Sequence, residues 1–277
     1  MKLTSREYKL TLHADRFAGD HATCRAAMRA FWADAGRRLT AAGIAALQSP
    51  ERAEPDKQRD LLFLDTVDKA LFRRAGFVYR MRRRTGSDGE WQATLKFRHG
   101  DRLLSAAKDY RRRGGGKGGR GKLEEDIKAV PRGEGPGFWA LFSRSVDAGV
   151  DDRARIATIG DCLRPFSRLP SVSMPPVGAP VTPVGGLAVV EHVHGGGALS
   201  LSDDVEAECA LILWWRKGEA TSPIAAEFSF RFALAKGEVE AAVATSAWDA
   251  MTALYGSGWV APRGTTKTAL VYGGGEA

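Results

Sequence analysis

Long apolar runs are missing from this chain. No stretch of about 18 apolar residues occurs, which excludes a membrane-spanning helix, and residues 1–15 lack the apolar core of a secretory signal, so a cytoplasmic protein is expected. Cysteine is scarce as well: Cys24, Cys162 and Cys209 stand far apart, with neither the spacing of a zinc site nor the even count of a disulfide framework, and read as core thiols. Aromatics make up only 9%, and charged residues 27%, of 277 residues that are 44% hydrophobic, which excludes wholesale disorder and leaves enough apolar material for a sizeable core. Acidic residues are the minority charge, 33 against 41 lysines and arginines. The net charge of +8 therefore points to anionic partners, and where that charge sits decides which.

Breakers organise the chain. A Pro/Gly-rich connection at 170–186 separates a longer N-terminal part from a shorter C-terminal one. The stretch 111–121 alternates arginine, glycine and lysine without an apolar residue, as a flexible, solvated loop does. Strands occur in both parts, so we expect one elaborated domain over 1–277. Spacings of three and four predict helices at 21–47, 67–75, 138–146 and 236–255. The second has a start and a stop: Thr66 caps it, Asp68 sits near its positive end and Gly76 closes it, so Asp65 and Thr66 are read as capping groups.

The strands carry the functional signal. Glu7, Lys9, Thr11 and His13 alternate with Tyr8, Leu10 and Leu12, a period of two with one polar and one apolar face. Arg80, Arg82 and Arg84 share a face opposite Phe77, Tyr79 and Met81. Glu90, Gln92, Thr94, Lys96 and Arg98 oppose Trp91, Ala93, Leu95 and Phe97. Lys122, Glu124 and Asp126 oppose Leu123 and Ile127, and Glu227, Ser229 and Arg231 oppose Phe228 and Phe230. Val189 to His194 offers His192 and His194 on one face, although the glycines that follow also suit a surface hairpin.

Charged faces of antiparallel sheets usually meet water. Here both signs recur at matched positions on five strands, which equally suits a closed barrel whose charges line the interior while helices cover the apolar outside. Two cations about 5 Å apart repel by roughly 3 kcal/mol at an effective dielectric of about 20. A basic interior therefore calls for an anion, and phosphate oxygens fit the arginine fork. Carboxylates on the same faces suit a hard cation such as Mg²⁺ or Mn²⁺.

These blocks resemble the CYTH domains, also called triphosphate tunnel metalloenzymes. That family opens on Glu-x-Glu-x-Lys, matched here by Glu7 and Lys9 with Ser5 in place of the first glutamate. Its next block, Asp-Thr, a short helix, glycine and Arg-x-Arg, is reproduced by Asp65-Thr66, Leu71, Gly76 and Arg80-Met81-Arg82. Thr94-Leu95-Lys96 and Lys122-Leu123-Glu124-Glu125-Asp126 follow, and Glu227-Phe228-Ser229 with Lys267 keep part of the last block, Ser229 replacing a carboxylate.

The resemblance implies an α+β fold, a closed antiparallel barrel of about eight strands with helices outside. It implies a metal-dependent hydrolase acting on inorganic triphosphate, thiamine triphosphate or a nucleoside triphosphate. Lys9, Arg80, Arg82, Lys96, Lys122 and Lys267 would bind phosphate, Lys9, Arg80 and Arg82 being closest to the chemistry. Glu7, Glu124, Asp126 and Glu227 would organise Mg²⁺ or Mn²⁺. The same fold also serves adenylate cyclases, and loss of metal ligands would leave a module that binds polyphosphate or nucleotide without turnover. Nucleic-acid binding through the 111–121 loop ranks last, since only Tyr110 at its edge could stack a base. No membrane partner is expected, and Trp214 and Trp215 either pack under helices or form a homodimer interface.

Overall fold

The computed structural model describes residues 1–44, 54–116, 119–133, 135–170 and 173–273. In chain order the elements are β1 (Ser5–Leu12), α1 (His21–Ala41), β2 (Lys57–Asp65), α2 (Ala70–Arg73), β3 (Phe77–Arg84), β4 (Trp91–His99), α3 (Arg102–Ala107), β5 (Arg111–Arg112), β6 (Lys122–Arg132), β7 (Gly135–Val150), α4 (Ile159–Leu163), β8 (Phe166–Ser167), β9 (Thr182–Ser202), β10 (Val205–Arg216), β11 (Ala225–Ala233), α5 (Ala241–Tyr255) and α6 (Lys267–Tyr272). Among the described residues no helix is long and apolar enough to cross a membrane.

Nine strands close into a barrel in the order β1-β11-β10-β9-β2-β3-β4-β7-β6. Every pairing is antiparallel except the one that seals it, β6 against β1, which runs parallel with Glu7 opposite Asp126. The expected α+β barrel with helices outside is therefore present, with nine strands instead of about eight and a mixed instead of a purely antiparallel sheet. The parallel seam joins segments more than a hundred residues apart, and no local pattern encodes it.

Period-two alternation explains which way the strands face. On β3, Phe77, Tyr79 and Met81 are fully buried on the outer side, where they join Ala93, Leu95 and Phe97 of β4, Val146 and Ala148 of β7, and Ile159, Cys162 and Leu163 of α4 in one core. On the opposite wall, Tyr8 and Leu10 of β1 and Phe228 and Phe230 of β11 pack under α1 and α5. The α1 residues Met28, Phe31, Trp32, Ala35 and Leu39 recur every three or four positions and form that buried stripe. Asp20 caps the helix by accepting from the Thr23 amide at 2.8 Å. Trp215 joins this outer core, whereas Trp214 turns inward.

Several expectations change. Residues 138–146, read as a helix, lie inside β7: the Phe138, Leu141, Phe142 and Val146 spacing is helical, but pairing with β4 and β6 on either side overrides local propensity. The helix expected at 236–255 begins at Ala241, and the one at 67–75 shortens to α2. The helix expected at 21–47 is α1, which stops at Ala41, and positions 45–47 lie outside the described residues. The 170–186 connection gives way to β9 at Thr182, and the 111–121 loop begins with β5, which pairs with β8.

Asp65 and Thr66 act as caps. The Asp65 carboxylate accepts from the Leu71 and Phe72 amides at 2.9 and 3.0 Å, and the Thr66 hydroxyl accepts from the Ala70 amide at 2.8 Å. Gly76, with φ of 71°, then turns the chain into β3 where a Cβ would sit 2.9 Å from the Phe97 ring.

Strand direction separates the barrel ends. One end collects the starts of β1, β2, β4 and β6 and the finish of β3, and is the mouth. The other collects the finish of β2 and β4 and the starts of β3, β9 and β11, and α6 lies across it. Tyr272 of α6 stacks on Phe72 at 4.2 Å, Lys69 Nζ donates to the Tyr272 carbonyl at 2.6 Å, and Val271 and Tyr272 join Leu61, Phe63, Val189 and Trp214 in an apolar floor.

Candidate functional site

Inside the barrel lies a cavity of about 370 Å³, within the roughly 300–1,000 Å³ typical of small-molecule sites. Among the described residues ten basic side chains line it, Lys9, Lys57, Arg59, Arg80, Arg82, Lys96, Arg98, Lys122, Arg231 and Lys267. Five carboxylates face them, Glu7, Glu124, Asp147, Glu191 and Glu227. All six basic residues expected to bind phosphate are thus brought to one space.

Asp126 stands just behind this surface and is 5% exposed. Its Oδ1 accepts from Lys9 Nζ at 3.0 Å. Its Oδ2 accepts from an Arg98 guanidinium nitrogen at 3.0 Å and from Ser143 Oγ at 3.3 Å, and faces Lys96 Nζ at 3.6 Å. Burial opposes its ionisation, yet the charges of Lys9, Lys96 and Arg98 hold its carboxyl well below the usual range. Lys9 also meets Glu7 at 3.1 Å, and despite burial its carboxylate neighbours push its amine above the usual lysine value. Lys96, buried and crowded by Arg98 and Lys9, is pulled down to about 8.

The β2–β3 wall is different. Arg80 Nε is buried without a hydrogen-bond partner, and no carboxylate lies within ion-pair distance of Arg80 or Arg82 among the described residues. Arg82 Nε donates to Gln92 Oε1 at 2.6 Å. Burial, reinforced by the neighbouring Arg80 and Arg59 charges, pulls Arg82 down to about 10. Glu191, on the adjoining β9, is engaged by Arg59 at 3.2 Å and by Trp214 Nε1 at 2.9 Å. Asp147 accepts from Thr94 Oγ1 at 2.6 Å.

Toward the floor, Lys267 reaches in from α6 to meet Glu227 at 2.8 Å and lies over the Trp214 ring at 5.5 Å. Glu227 stays ionised because Lys267 and Lys9 outweigh its burial. Lys122 is exposed at the mouth, beside Glu124.

Three of the carboxylates expected to hold metal, Glu7, Asp126 and Glu227, gather around the Lys9 amine. Asp126 is saturated by three cations and a hydroxyl, Glu227 is taken by Lys267 and Glu7 by Lys9. Glu124 has only the Ser5 hydroxyl, at 3.5 Å. Ser5 and Ser229 are both buried on this face and offer no charge. Among the described residues no three His, Cys, Asp or Glu side chains stand together as a metal-binding group, so the donor set does not fit a resident Mg²⁺ or Mn²⁺.

Sequence reasoning passed over Lys57, Arg59, Asp147 and Glu191, read Trp214 as packing under helices or at a dimer interface although it lines the cavity, and placed Arg98 and Arg231 on the charged faces without giving them a role. Asp147 was hidden by the helical reading of β7. His192 and His194 point outward: β9 turns Glu191 and Val193 into the cavity, His192 packs on Trp215 at 4.5 Å, and burial pulls His194 down to about 4, leaving it neutral. Neither belongs to the site. No known family model and no curated protein sequence matches the chain.

Proposed function

We propose that this barrel binds the triphosphate group of a small molecule, or inorganic tripolyphosphate, as a CYTH-type protein, and that it hydrolyses the terminal anhydride. The single observation that carries the reading is the excess of positive charge in the cavity, above all the half-buried pair Arg80 and Arg82, which forms no ion pair among the described residues. An interior with twice as many cations as carboxylates is paid for by a polyvalent anion, and the guanidinium forks favour phosphate oxygens.

The floor under α6 is apolar, so the anion lies above it with its terminal phosphoryl group among Lys9, Lys96 and Arg98, and its chain along Arg80 and Arg82 toward the mouth. The organic remainder of a substrate would then sit at the mouth, near Lys57, Lys122 and Arg231. In hydrolysis the fixed cations stabilise the charge that develops on the transferred phosphoryl oxygens and on the leaving diphosphate. The hydrolytic step rests on the resemblance of the strand motifs. Mg²⁺ or Mn²⁺ dependence rests on it too, and no step here runs through a resident metal.

The test is phosphate release from tripolyphosphate, thiamine triphosphate and ATP, each with Mg²⁺, with Mn²⁺ and in EDTA, with the ATP products checked for the cyclic nucleotide. Turnover by the wild type that disappears in Arg80→Ala/Arg82→Ala supports a triphosphatase. Binding of tripolyphosphate without any turnover leaves a non-catalytic polyphosphate or nucleotide module, the reading that the ion-paired carboxylates favour. Neither binding nor turnover would sink both.

A further inference from the structure

We infer that Asp126 is an internal counter-ion that positions Lys9, Lys96 and Arg98 for the anion, and that the deep half of the cavity takes its anion without a resident metal. This rests on the anion-binding reading above and reassigns a residue whose place in the strand pattern suggests a metal ligand. Both Asp126 oxygens are occupied: Lys9 holds one at 3.0 Å, and Arg98, Ser143 and Lys96 surround the other at 3.0, 3.3 and 3.6 Å. A divalent ion at either oxygen would have to displace an ammonium or a guanidinium and then sit within a few ångströms of two more cations. At an effective dielectric of about 20, charges this close still repel strongly.

Of the carboxylates expected to hold metal only Glu124 has no ion pair among the described residues, and one carboxylate does not offset three cations. Glu7 is tied to Lys9, Glu227 to Lys267, and the flanking strand positions hold the uncharged Ser5 and Ser229. What the arrangement does instead is fix three long, flexible side chains from β1 and β4 against the β6–β7 wall. The entropy of ordering them is then spent on folding and not on binding. Asp126 touches no ligand itself in this account and is a positioning residue.

The experiment uses the full chain, wild type and Asp126→Asn. Tripolyphosphate is titrated calorimetrically in EDTA, and Mn²⁺ is titrated into ligand-free protein and followed by electron paramagnetic resonance. Asparagine keeps the shape but removes the charge that orders Lys9, Lys96 and Arg98, so tripolyphosphate affinity in EDTA should fall about ten-fold, with no Mn²⁺ bound by either protein. Stoichiometric Mn²⁺ binding by the wild type that the variant loses would overturn the assignment, as would unchanged or tighter tripolyphosphate binding by the variant in EDTA.

If Asp126→Asn alone does not fold, the double variant Asp126→Asn/Lys96→Met, which removes one cation together with the carboxylate, is expected to fold and to regain thermal stability. A double variant no better than the single would contradict a counter-ion role. If the wild type binds no tripolyphosphate at all, the anion-binding reading fails, while the Mn²⁺ titration and the stability rescue still decide what Asp126 does.

Discussion

Two walls of one cavity carry similar cations and treat them in opposite ways. On the β1–β4–β6 side, Lys9, Lys96 and Arg98 converge on Asp126, and their charge is largely answered within the protein. On the β2–β3 side, Arg80 and Arg82 form no ion pair among the described residues, Asp147 and Glu191 act on them only from beyond that distance, and burial with like-charge crowding pulls Arg82 down to about 10. The first wall is built to fold and the second is left unfinished. A protein that keeps two half-buried arginines without ion-pair partners gives up stability there, and a perturbed site of that kind is expected where a ligand completes it.

The contrast can be broken most directly at the unfinished wall. Replacing both arginines, Arg80→Ala/Arg82→Ala, removes two sets of charge-assisted hydrogen bonds, each worth about 1.5–3 kcal/mol, so tripolyphosphate affinity should fall by about 100-fold or more. Because the same change relieves repulsion, the ligand-free melting temperature should hold or rise. A calorimetric titration and a thermal melt read the two effects separately, and a variant that loses stability and affinity together would mean that the arginines are structural.

A smaller effect is expected at Lys96 on the compensated wall. Its amine sits at about 8 in the folded protein, below the 10.5 of a free lysine. Two consequences follow with opposite sign. Anion binding favours the protonated amine, so affinity should decline as pH rises through 8, and Lys96→Met should flatten that decline. Folding disfavours the buried charge. Between about 8 and 10.5 the unfolded chain holds the proton that the folded one has released, so Lys96 contributes a rise in stability with pH over that window. Denaturant titrations of wild type and Lys96→Met at pH 7 and pH 9.5 measure it. The stability of the wild type relative to Lys96→Met should rise from pH 7 to pH 9.5; a relative stability that falls or stays constant would contradict the burial of a crowded amine.

The smallest effect belongs to Lys122 at the mouth. It is exposed and screened, so Lys122→Ala should weaken tripolyphosphate binding by no more than about two- to five-fold, and the loss should fade with added salt. A loss as large as that of the arginine pair would move the centre of the site to the mouth.

The two walls were also unequally legible in the sequence. Arg80 and Arg82 stood out because β3 alternates cleanly against Phe77, Tyr79 and Met81, and β4 does the same around Lys96. Period two alone gave the shared face, and the matching charges on five strands suggested which way it turned. Asp147 was lost because the apolar residues of 138–146 recur at helical spacing, and only pairing with β4 and β6 makes that segment a strand. Glu191 was missed because β9 emerges from a Pro/Gly-rich connection and its histidines, on the outer face, drew attention away from its inner one. The saturation of Asp126 had no local signal at all. It depends on the parallel β1–β6 seam and on the neighbouring β7, which bring Lys9 and Ser143 to one carboxylate from opposite directions.

The measurement that bears most directly on the central claim is a calorimetric titration of tripolyphosphate into the wild type and Arg80→Ala/Arg82→Ala, at low ionic strength and in EDTA. The account predicts one site per chain with a Kd below about 1 mM in the wild type and no measurable heat in the variant. A wild type that binds nothing, or a double variant that binds as tightly as the wild type, would contradict it.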